Sequence, residues 1–464
     1  MKVNFNIKPD LLREICQGEI IHYNPSSQIK TISTDSRDLG EHNLFIPLLG
    51  ANFDGHNFIK ELVDAHKIDC FLTMKTGYEK LAQDNDVTAI RCQDSLKSLG
   101  ALGAWQRKKI NPKIVAITGT NGKSTVKELT HAILEQKDAT LKNDKNYNNE
   151  IGVPFTLLKL NFSFKTAVIE MGMNHSGEIE RLSEMVQPDL AVITSVGAGH
   201  LEFLSDIKQV ALAKAEIVKG LKPGSTLLVN KNIDFFDLIK EQANQRNIKI
   251  KTFGLTPGAD YYPERYYSGL EGIELTYQAK LFKVKLYGLH NLLNLITALA
   301  IAEELGVELG LAQQALEDFS NLKGRGEFIN GACLVFDDTY NSNPLSAKQA
   351  LRTIKNLYPQ KRKIAVLGEM KELGPRASKF HFEIGEEVAR NNFNLFFSWG
   401  EQADFFQQGA LKGGLAQDQV YVFQEKEELI AFLLAKISSD DLVLVKGSRS
   451  TKMEDIVQAI VNKR

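Results

Sequence analysis

The run Thr118-Gly119-Thr120-Asn121-Gly122-Lys123-Ser124-Thr125 follows the apolar residues Ile114, Val115, Ala116 and Ile117. It precedes a stretch in which Val126, Leu129, Ile133 and Leu134 recur at helical spacing. Strand, glycine-bearing loop and helix, in that order, are the setting of a phosphate-binding loop in a parallel α/β sheet. Gly119 and Gly122 let backbone N–H groups turn toward an anion, Lys123 supplies a point charge, and the Ser124 hydroxyl suits a phosphate-bound magnesium ion. The helix that follows adds the positive end of its dipole. Ile117 stands six residues before the lysine, where the usual pattern has glycine, so this is a shortened variant. The residues 119–125 are therefore expected to bind a nucleoside triphosphate.

Composition narrows the class around that loop. At 464 residues the chain exceeds what one hydrophobic core holds, and about three domains are expected. Lys plus Arg number 56 and Asp plus Glu 57, so no global field draws in a polyanion, and no nucleic-acid or membrane-surface partner is implied. The N-terminal MKVNFNIKPD lacks the apolar core of a signal peptide, and no apolar run approaches bilayer-spanning length. A cytoplasmic protein without membrane insertion is expected. Cys16, Cys70, Cys92 and Cys333 show no C-x-x-C spacing and read as buried, reduced thiols.

Three blocks follow one another without low-complexity linkers. Residues 1–109 mix short strands and helices. Residues 110–321 alternate strand and helix, with further strands at 167–169 and 191–193 and a long apolar helix over 292–305. Residues 322–464 repeat the rhythm, with strands near 364–367, 395–397, 420–423 and 442–445. Such alternation predicts parallel sheets with crossover helices, an α/β fold. The third block has no G-x-G-x-x-G, so a Rossmann-like shape there does not imply a dinucleotide.

In a parallel sheet, ligands gather at the carboxyl ends of the strands. Glu170 ends the strand TAVIE, and His200 lies in the loop GAGH after LAVITS; both should face the phosphate loop. A carboxylate there is a hard ligand for magnesium, and a neutral imidazole suits a second ion. Taken singly, Glu170 also reads as a helix-capping strand end and His200 as an ordinary loop histidine. Lys214 has Val210, Ala211, Ile217 and Val218 as its i−4, i−3, i+3 and i+4 neighbours, which puts it on an apolar face. Its side chain either snorkels to solvent or, if desolvated, becomes a neutral amine able to add carbon dioxide as a carbamate.

Beyond these separate features, TGTNGKST, NYNNEIGVP (146–154), IEMG, GAGHLEF, LAKAEI, GLHNLLN (288–294), GRGE with Arg325 and DDTYNSNP (337–344) stand in one order along nearly the whole chain. In that order the sequence resembles the Mur ligase family. DDTYNSNP, LGEMKELG (367–374) and LVKGSR (444–449) are most similar to the member that adds D-alanyl-D-alanine to a UDP-N-acetylmuramoyl tripeptide, and the DNPR-type motif expected of the preceding ligase is absent.

The resemblance implies three domains: a small UDP-binding α/β domain at 1–109, a central ATP-binding domain at 110–321, and a Rossmann-like domain on the dipeptide side at 322–464. It implies an ATP- and Mg2+-dependent amide ligase of peptidoglycan precursor synthesis, expected to be a monomer, whose partners are the two small-molecule substrates UDP-MurNAc-tripeptide and D-Ala-D-Ala. ATP would phosphorylate the tripeptide's terminal carboxylate, and the dipeptide amine would attack the acyl phosphate. By the same resemblance Lys123 contacts the terminal phosphates, Ser124 and Glu170 hold one magnesium, and His200 with a carbamylated Lys214 holds a second. Asn291 and Asn294 lie on the adenine side, while Arg325 and Asp338 reach the nucleotide from the third domain. Asn148, Asn341, Asn343, Glu369, Lys446 and Arg449 are implied on the substrate side. Ser36, Arg37, Asn52, Asp54, Gly55 and His56 are implied for the uridine diphosphate, although Pro47 and Leu49 stand where a small residue and often a lysine are expected.

Two other readings stay open at this level. One is a related Mur-type or folylpolyglutamate-type ligase with the same ATP chemistry and a different amine; the other is a nucleotide-dependent switch or kinase that makes no amide. A scaffold with a vestigial loop is disfavoured, because Lys123, Glu170 and His200 are all in place.

Overall fold

A computed structural model describes residues 1–463. Three six-stranded sheets follow one another along the chain, each with helices against it. The first runs in the order Lys2–Ile7, Ile29–Ser33, Asn43–Phe45, Cys70–Thr73, Thr88–Arg91 and Glu19–His22; its two edge strands are antiparallel and the inner pairs parallel. Helix Ser95–Ile110 leaves this sheet, opened by the Asp94 carboxylate accepting from the N–H groups of Leu96 and Lys97. It packs on helix Gly152–Leu158, and Gly103 permits the contact, since a Cβ there would stand 2.9 Å from the Pro154 Cα. Arg107, buried along the same helix, donates to the carbonyls of Val186 and Gln187 and so ties the first unit to the second.

The central sheet is wholly parallel, in the order Thr140–Lys142, Thr166–Glu170, Lys113–Thr118, Leu190–Ile193, Thr226–Asn230 and Lys249–Phe253. The chain leaves Lys113–Thr118 toward one edge and returns to extend the other, so this strand sits where the order reverses, and a crevice opens beyond its carboxyl end. Apolar clusters cover both faces, with Val126, Leu129, Ile133 and Leu134 of helix Lys123–Glu135 in one of them. The long apolar helix expected over 292–305 runs Leu289–Glu304 and is buried along most of its length, hence its lack of a polar face.

Simple alternation under-read this region. Strands 140–142, 226–230 and 249–253 belong to the sheet, and an antiparallel trio, Arg265–Gly269, Gly272–Tyr277 and Lys280–Val284, follows it. The reason is compositional. Thr140–Lys142 spans only three residues, and Lys249–Phe253 is an edge strand whose lysines alternate with its apolar side chains.

The third sheet runs Glu327–Asn330, Leu334–Asp338, Leu442–Lys446, Lys363–Gly368, Leu395–Trp399 and Val420–Phe423, parallel except at its first strand. The four strands expected from sequence are there, and the hairpin 327–338 adds two. All four cysteines are buried and unbridged. Among the described residues no helix is long and apolar enough to cross a membrane.

Candidate active site

Strand Lys113–Thr118 delivers the loop, and Gly119 and Gly122 take φ of +152° and +86°. Thr194 and Ser195, just past the neighbouring strand Leu190–Ile193, hold it. Thr120 N–H donates to the Ser195 carbonyl at 2.9 Å, Asn121 N–H to Ser195 Oγ at 2.8 Å, and Thr194 Oγ1 to the Asn121 carbonyl at 2.6 Å. A Cβ at Gly119 would collide with Thr194 and one at Gly122 with Asn294, so both glycines are needed for space as well as for φ. Lys123 Nζ folds over the loop to the carbonyls of Gly119 and Thr120, at 2.7 and 3.2 Å. Ser124 and Thr125 lie buried in the first turn of the helix.

Glu170 ends the adjacent strand and is 2% exposed. Asn143 brackets its backbone on both sides, accepting from its N–H at 2.7 Å and donating to its carbonyl at 2.9 Å. Asn148 Nδ2 donates to Oε1 at 2.8 Å, while Oε2, though buried, has no hydrogen-bond partner among the described residues. Burial by itself would push this carboxyl up; Lys123, Lys127 and Arg325, with the Asn148 bond, outweigh it and hold the group below its ordinary value. Glu170 is thus an ionised carboxylate with one oxygen uncommitted, as a magnesium ligand must be.

Lys127 was not anticipated. Four residues beyond Lys123 and 1% exposed, it donates to the carbonyls of Asn143 at 3.0 Å and Lys145 at 3.3 Å, and stands 3.7 Å from Glu170 Oε2. Its helical neighbours Lys123, Ser124, Thr130 and His131 are polar, so periodicity carries no sign of its burial. Lys214 is also 1% exposed, and among the described residues no carboxylate lies within ion-pair distance of it. Burial, reinforced by Lys123, drives its ammonium well below the ordinary lysine range, so snorkelling does not occur.

The third unit closes the cleft. Between Gly324 and Gly326, both with positive φ, Arg325 crosses to the loop and donates from Nη2 to Ser124 Oγ at 3.0 Å, its guanidinium stacked 3.8 Å over the Tyr340 ring. Asn343 caps helix Pro344–Leu357 and exchanges amide bonds with Asn121, at 2.6 and 3.2 Å. His200 Nδ1 lies 2.7 Å from Glu372 Oε2. Asn291 and Asn294 are buried at the start of helix Leu289–Glu304, where Asn294 Nδ2 donates to Asn291 Oδ1 at 2.9 Å. These residues line one cleft of about 640 Å³, together with Asn148, Asp338, Asn341, Lys446 and Arg449.

Other expected residues stand differently. Lys446 is 2% exposed and already paired, with Asp338 Oδ2 at 2.6 Å and the Asn341 carbonyl at 2.8 Å. Glu369 is buried beside Lys371 Nζ at 2.6 Å, and Arg449 is exposed and bridged to Glu454 at 2.8 Å. Ser36, Arg37, Asn52, Asp54, Gly55 and His56 lie in the first unit, outside this cleft. Arg37 is solvated and forked onto Asp35. The 49–54 hairpin carries Asn52 at its turn and Asp54 at its end. His56 is 1% exposed with both ring nitrogens engaged internally, by Asp54 Oδ1 at 2.7 Å and by the Met74 N–H at 3.1 Å, so its ring is held within the domain and steadies Asp54. Lys75 reaches Asp54 from the end of strand Cys70–Thr73 and brings to this loop a positive charge that Pro47 and Leu49 do not.

Residues 117–302 match the Mur ligase middle domain, and residues 324–449 match the Mur ligase, glutamate ligase domain. The chain is 32% identical over 448 residues to the UDP-N-acetylmuramoyl-tripeptide--D-alanyl-D-alanine ligase of Bacillus subtilis (strain 168), with 93% of each chain covered. The chain belongs to the Mur ligase family. A second relative of the same description, from Haemophilus influenzae, is 32% identical over 97% of this chain and 98% of its own. Among solved structures, that of MurF from Acinetobacter baumannii superposes with a TM-score of 0.90 at 30% identity, over 99% of this chain and 100% of that one. The Mur ligase middle-domain match begins in the strand leading into the phosphate loop and ends in the helix that carries Asn291 and Asn294.

Proposed function

We propose that this Mur ligase joins D-alanyl-D-alanine to UDP-N-acetylmuramoyl-tripeptide in the cytoplasm, as a monomer, with conversion of ATP to ADP and phosphate. The observation that carries the reading is the convergence on one cleft of a phosphate loop, an ionised carboxylate with a free oxygen, and an arginine delivered from another unit of the chain. Full-length likeness to D-Ala-D-Ala ligases from two bacteria supports the choice of amine.

The tripeptide carboxylate attacks the terminal phosphorus of ATP and ADP leaves; the dipeptide amine then attacks the acyl carbon, the C–O bond breaks with its electron pair on the departing phosphate, and the amine releases a proton as the amide forms. Charge moves between oxygens at every step, so catalysis rests on fixed cations and excluded water. The loop N–H groups and Lys123 orient the phosphates. Arg325 meets the transferring group only while the third unit is closed, and Tyr340 keeps its guanidinium flat against the cleft wall. Acyl phosphates hydrolyse, so the Asn121–Asn343 amide pair serves by holding water out. The donor set fits magnesium: Ser124 and Glu170 would hold one ion, and His200 with Lys214 as a carbamate a second. Magnesium would supply positive charge against the phosphates there. Asn291 and Asn294 are assigned to the adenine side, and Asp338 with Lys446 to the floor between nucleotide and dipeptide. Asn148, Asn341, Asn343, Glu369 and Arg449 are assigned to the peptide substrates, and Ser36, Arg37, Asn52, Asp54, Gly55 and His56 to the uridine diphosphate. The corresponding division is 1–109, 110–321 and 322–464.

Measuring ADP release with UDP-MurNAc-tripeptide against D-Ala-D-Ala, free diamino acids and glutamate tests this reading. Stimulation by the dipeptide alone is expected; stimulation by glutamate or a diamino acid instead would overturn it.

A further inference from the structure

The loop after strand Leu190–Ile193 and the loop after strand Lys363–Gly368 meet across the cleft through two strained residues. His200 has φ +59° and Glu372 φ +63°, both left-handed and neither a glycine. Each conformation costs about 1 kcal/mol or more and persists only where its surroundings impose it. The surroundings are visible on both sides. The N–H groups of Phe203 and Leu204 donate to the His200 carbonyl at 3.1 and 2.9 Å, while the other loop is fixed at its base by Met370 N–H to His381 Nε2 and by Lys371 N–H to Ser448 Oγ, each at 2.8 Å. Between the loops, Glu202 N–H donates to the Glu372 carbonyl at 3.1 Å, and Gly374 lies so close to Leu201 and Glu202 that a Cβ would crowd them at 3.1 to 3.2 Å. The side chains complete the contact, with Nδ1 of His200 2.7 Å from Glu372 Oε2. The approach falls outside hydrogen-bond geometry, and Nδ1 is otherwise buried without a hydrogen-bond partner among the described residues, so the Glu372 carboxylate is the polar group nearest to it. The ring lines the cleft, with Nε2 as its remaining donor atom.

We infer that Glu372 is a positioning residue. Its carboxylate, 2.7 Å from Nδ1, holds the His200 ring from that side and leaves Nε2 to face the cleft, and it is in reach only while the third unit is closed. A histidine held by a carboxylate on one nitrogen is the arrangement that orients and strengthens a cation ligand on the other. The dipeptide-side unit thereby readies the cation site on the nucleotide-side unit, so that phosphoryl transfer begins in a shut cleft. This rests on the proposed role of His200 as a cation ligand.

The test uses the full chain with ADP and Mn2+ as the probe, read by the free-Mn2+ electron paramagnetic resonance signal, beside steady-state ligase kinetics. Glu372→Ala is expected to weaken Mn2+ retention and to lower kcat, each by about 10- to 100-fold, with the KM for ATP changing little. Glu372→Gln, which keeps the side-chain length and an oxygen beside Nδ1, should recover much of both, which a loss of that polar contact would not allow; it is also the informative variant if the alanine form fails to fold. His200→Ala is the reference. If it weakens Mn2+ retention and Glu372→Ala leaves retention and kcat within about twofold of the parent, the positioning role is wrong while the cation role of His200 stands. If His200→Ala leaves Mn2+ retention unchanged, the underlying reading of the site fails and this inference with it.

Discussion

Replacing His381 by phenylalanine should remove the loss of stability that this ring imposes on the third unit below pH 6.5. The ring is fully buried, its Nδ1 2.7 Å from the Ala377 carbonyl and its Nε2 accepting the Met370 N–H at 2.8 Å, edge-on to Phe406. Both nitrogens are used by the neutral ring, so a second proton would point at an N–H. Burial, with Lys371 nearby and against the pull of the Ala377 carbonyl, lowers the ring from 6.5 to about 4. Between those values the unfolded chain binds a proton that the folded one refuses, so stability is full above pH 6.5 and falls as pH drops through the window. At about 1.4 kcal/mol per tenfold change in proton affinity, about 3 kcal/mol is lost by pH 4 and about 2 by pH 5. His381→Phe removes that loss but leaves the Met370 N–H unpaired, costing about 2 kcal/mol at every pH. The two stability curves should therefore cross near pH 5. Urea unfolding from pH 4 to 8, followed by Trp399 fluorescence in a Trp105→Phe background, measures this. Parallel curves would show that the ring does not titrate as its surroundings require. Because Met370 starts the loop that carries Glu372, the variant should also weaken Mn2+ retention and lower kcat at neutral pH.

Lys127→Met removes a buried cation and leaves the carbonyls of Asn143 and Lys145 short of a donor; a stability loss of about 3 kcal/mol by urea unfolding is expected, and one under about 0.5 would make the lysine a bystander. Lys214→Met should abolish ligase activity yet raise the melting temperature near neutral pH. The unfolded chain holds the Lys214 proton up to about pH 10.5 while the fold releases it earlier, so the parent loses stability as pH falls through that interval and the variant does not. In the parent, removing dissolved carbon dioxide should lower kcat and bicarbonate should restore it; indifference to bicarbonate would exclude the carbamate. Arg325→Lys keeps the charge but loses both the Nη2 bond to Ser124 Oγ and the stack on Tyr340, and should cut kcat by about 100-fold with a smaller change in ATP KM.

What could be read from the chain alone follows physical rules. The phosphate loop was legible because tight turns, close packing and a point charge leave few residue choices in eight positions. Central strands were legible because burial on both faces makes them continuously apolar; the short strand at 140–142 and the lysine-bearing edge at 249–253 were not, since an edge needs neither length nor apolarity. Glu170 and His200 could be placed by strand-end position. Lys127 and Glu372 could not, because their roles arise from partners 16 to 172 residues away, and a lysine among polar helix neighbours or a glutamate in a loop has no local mark. Lys446 shows the converse: a strand-end lysine that looks free in sequence is paired with Asp338 in the fold.

The most direct test of carboxylate activation follows oxygen. UDP-MurNAc-tripeptide labelled with 18O in its terminal carboxylate, incubated with the chain, ATP, magnesium and D-Ala-D-Ala, should yield inorganic phosphate carrying one 18O for each amide formed. Amide formed with unlabelled phosphate would mean that the carboxylate never bonded to phosphorus, and the acyl-phosphate mechanism would be wrong.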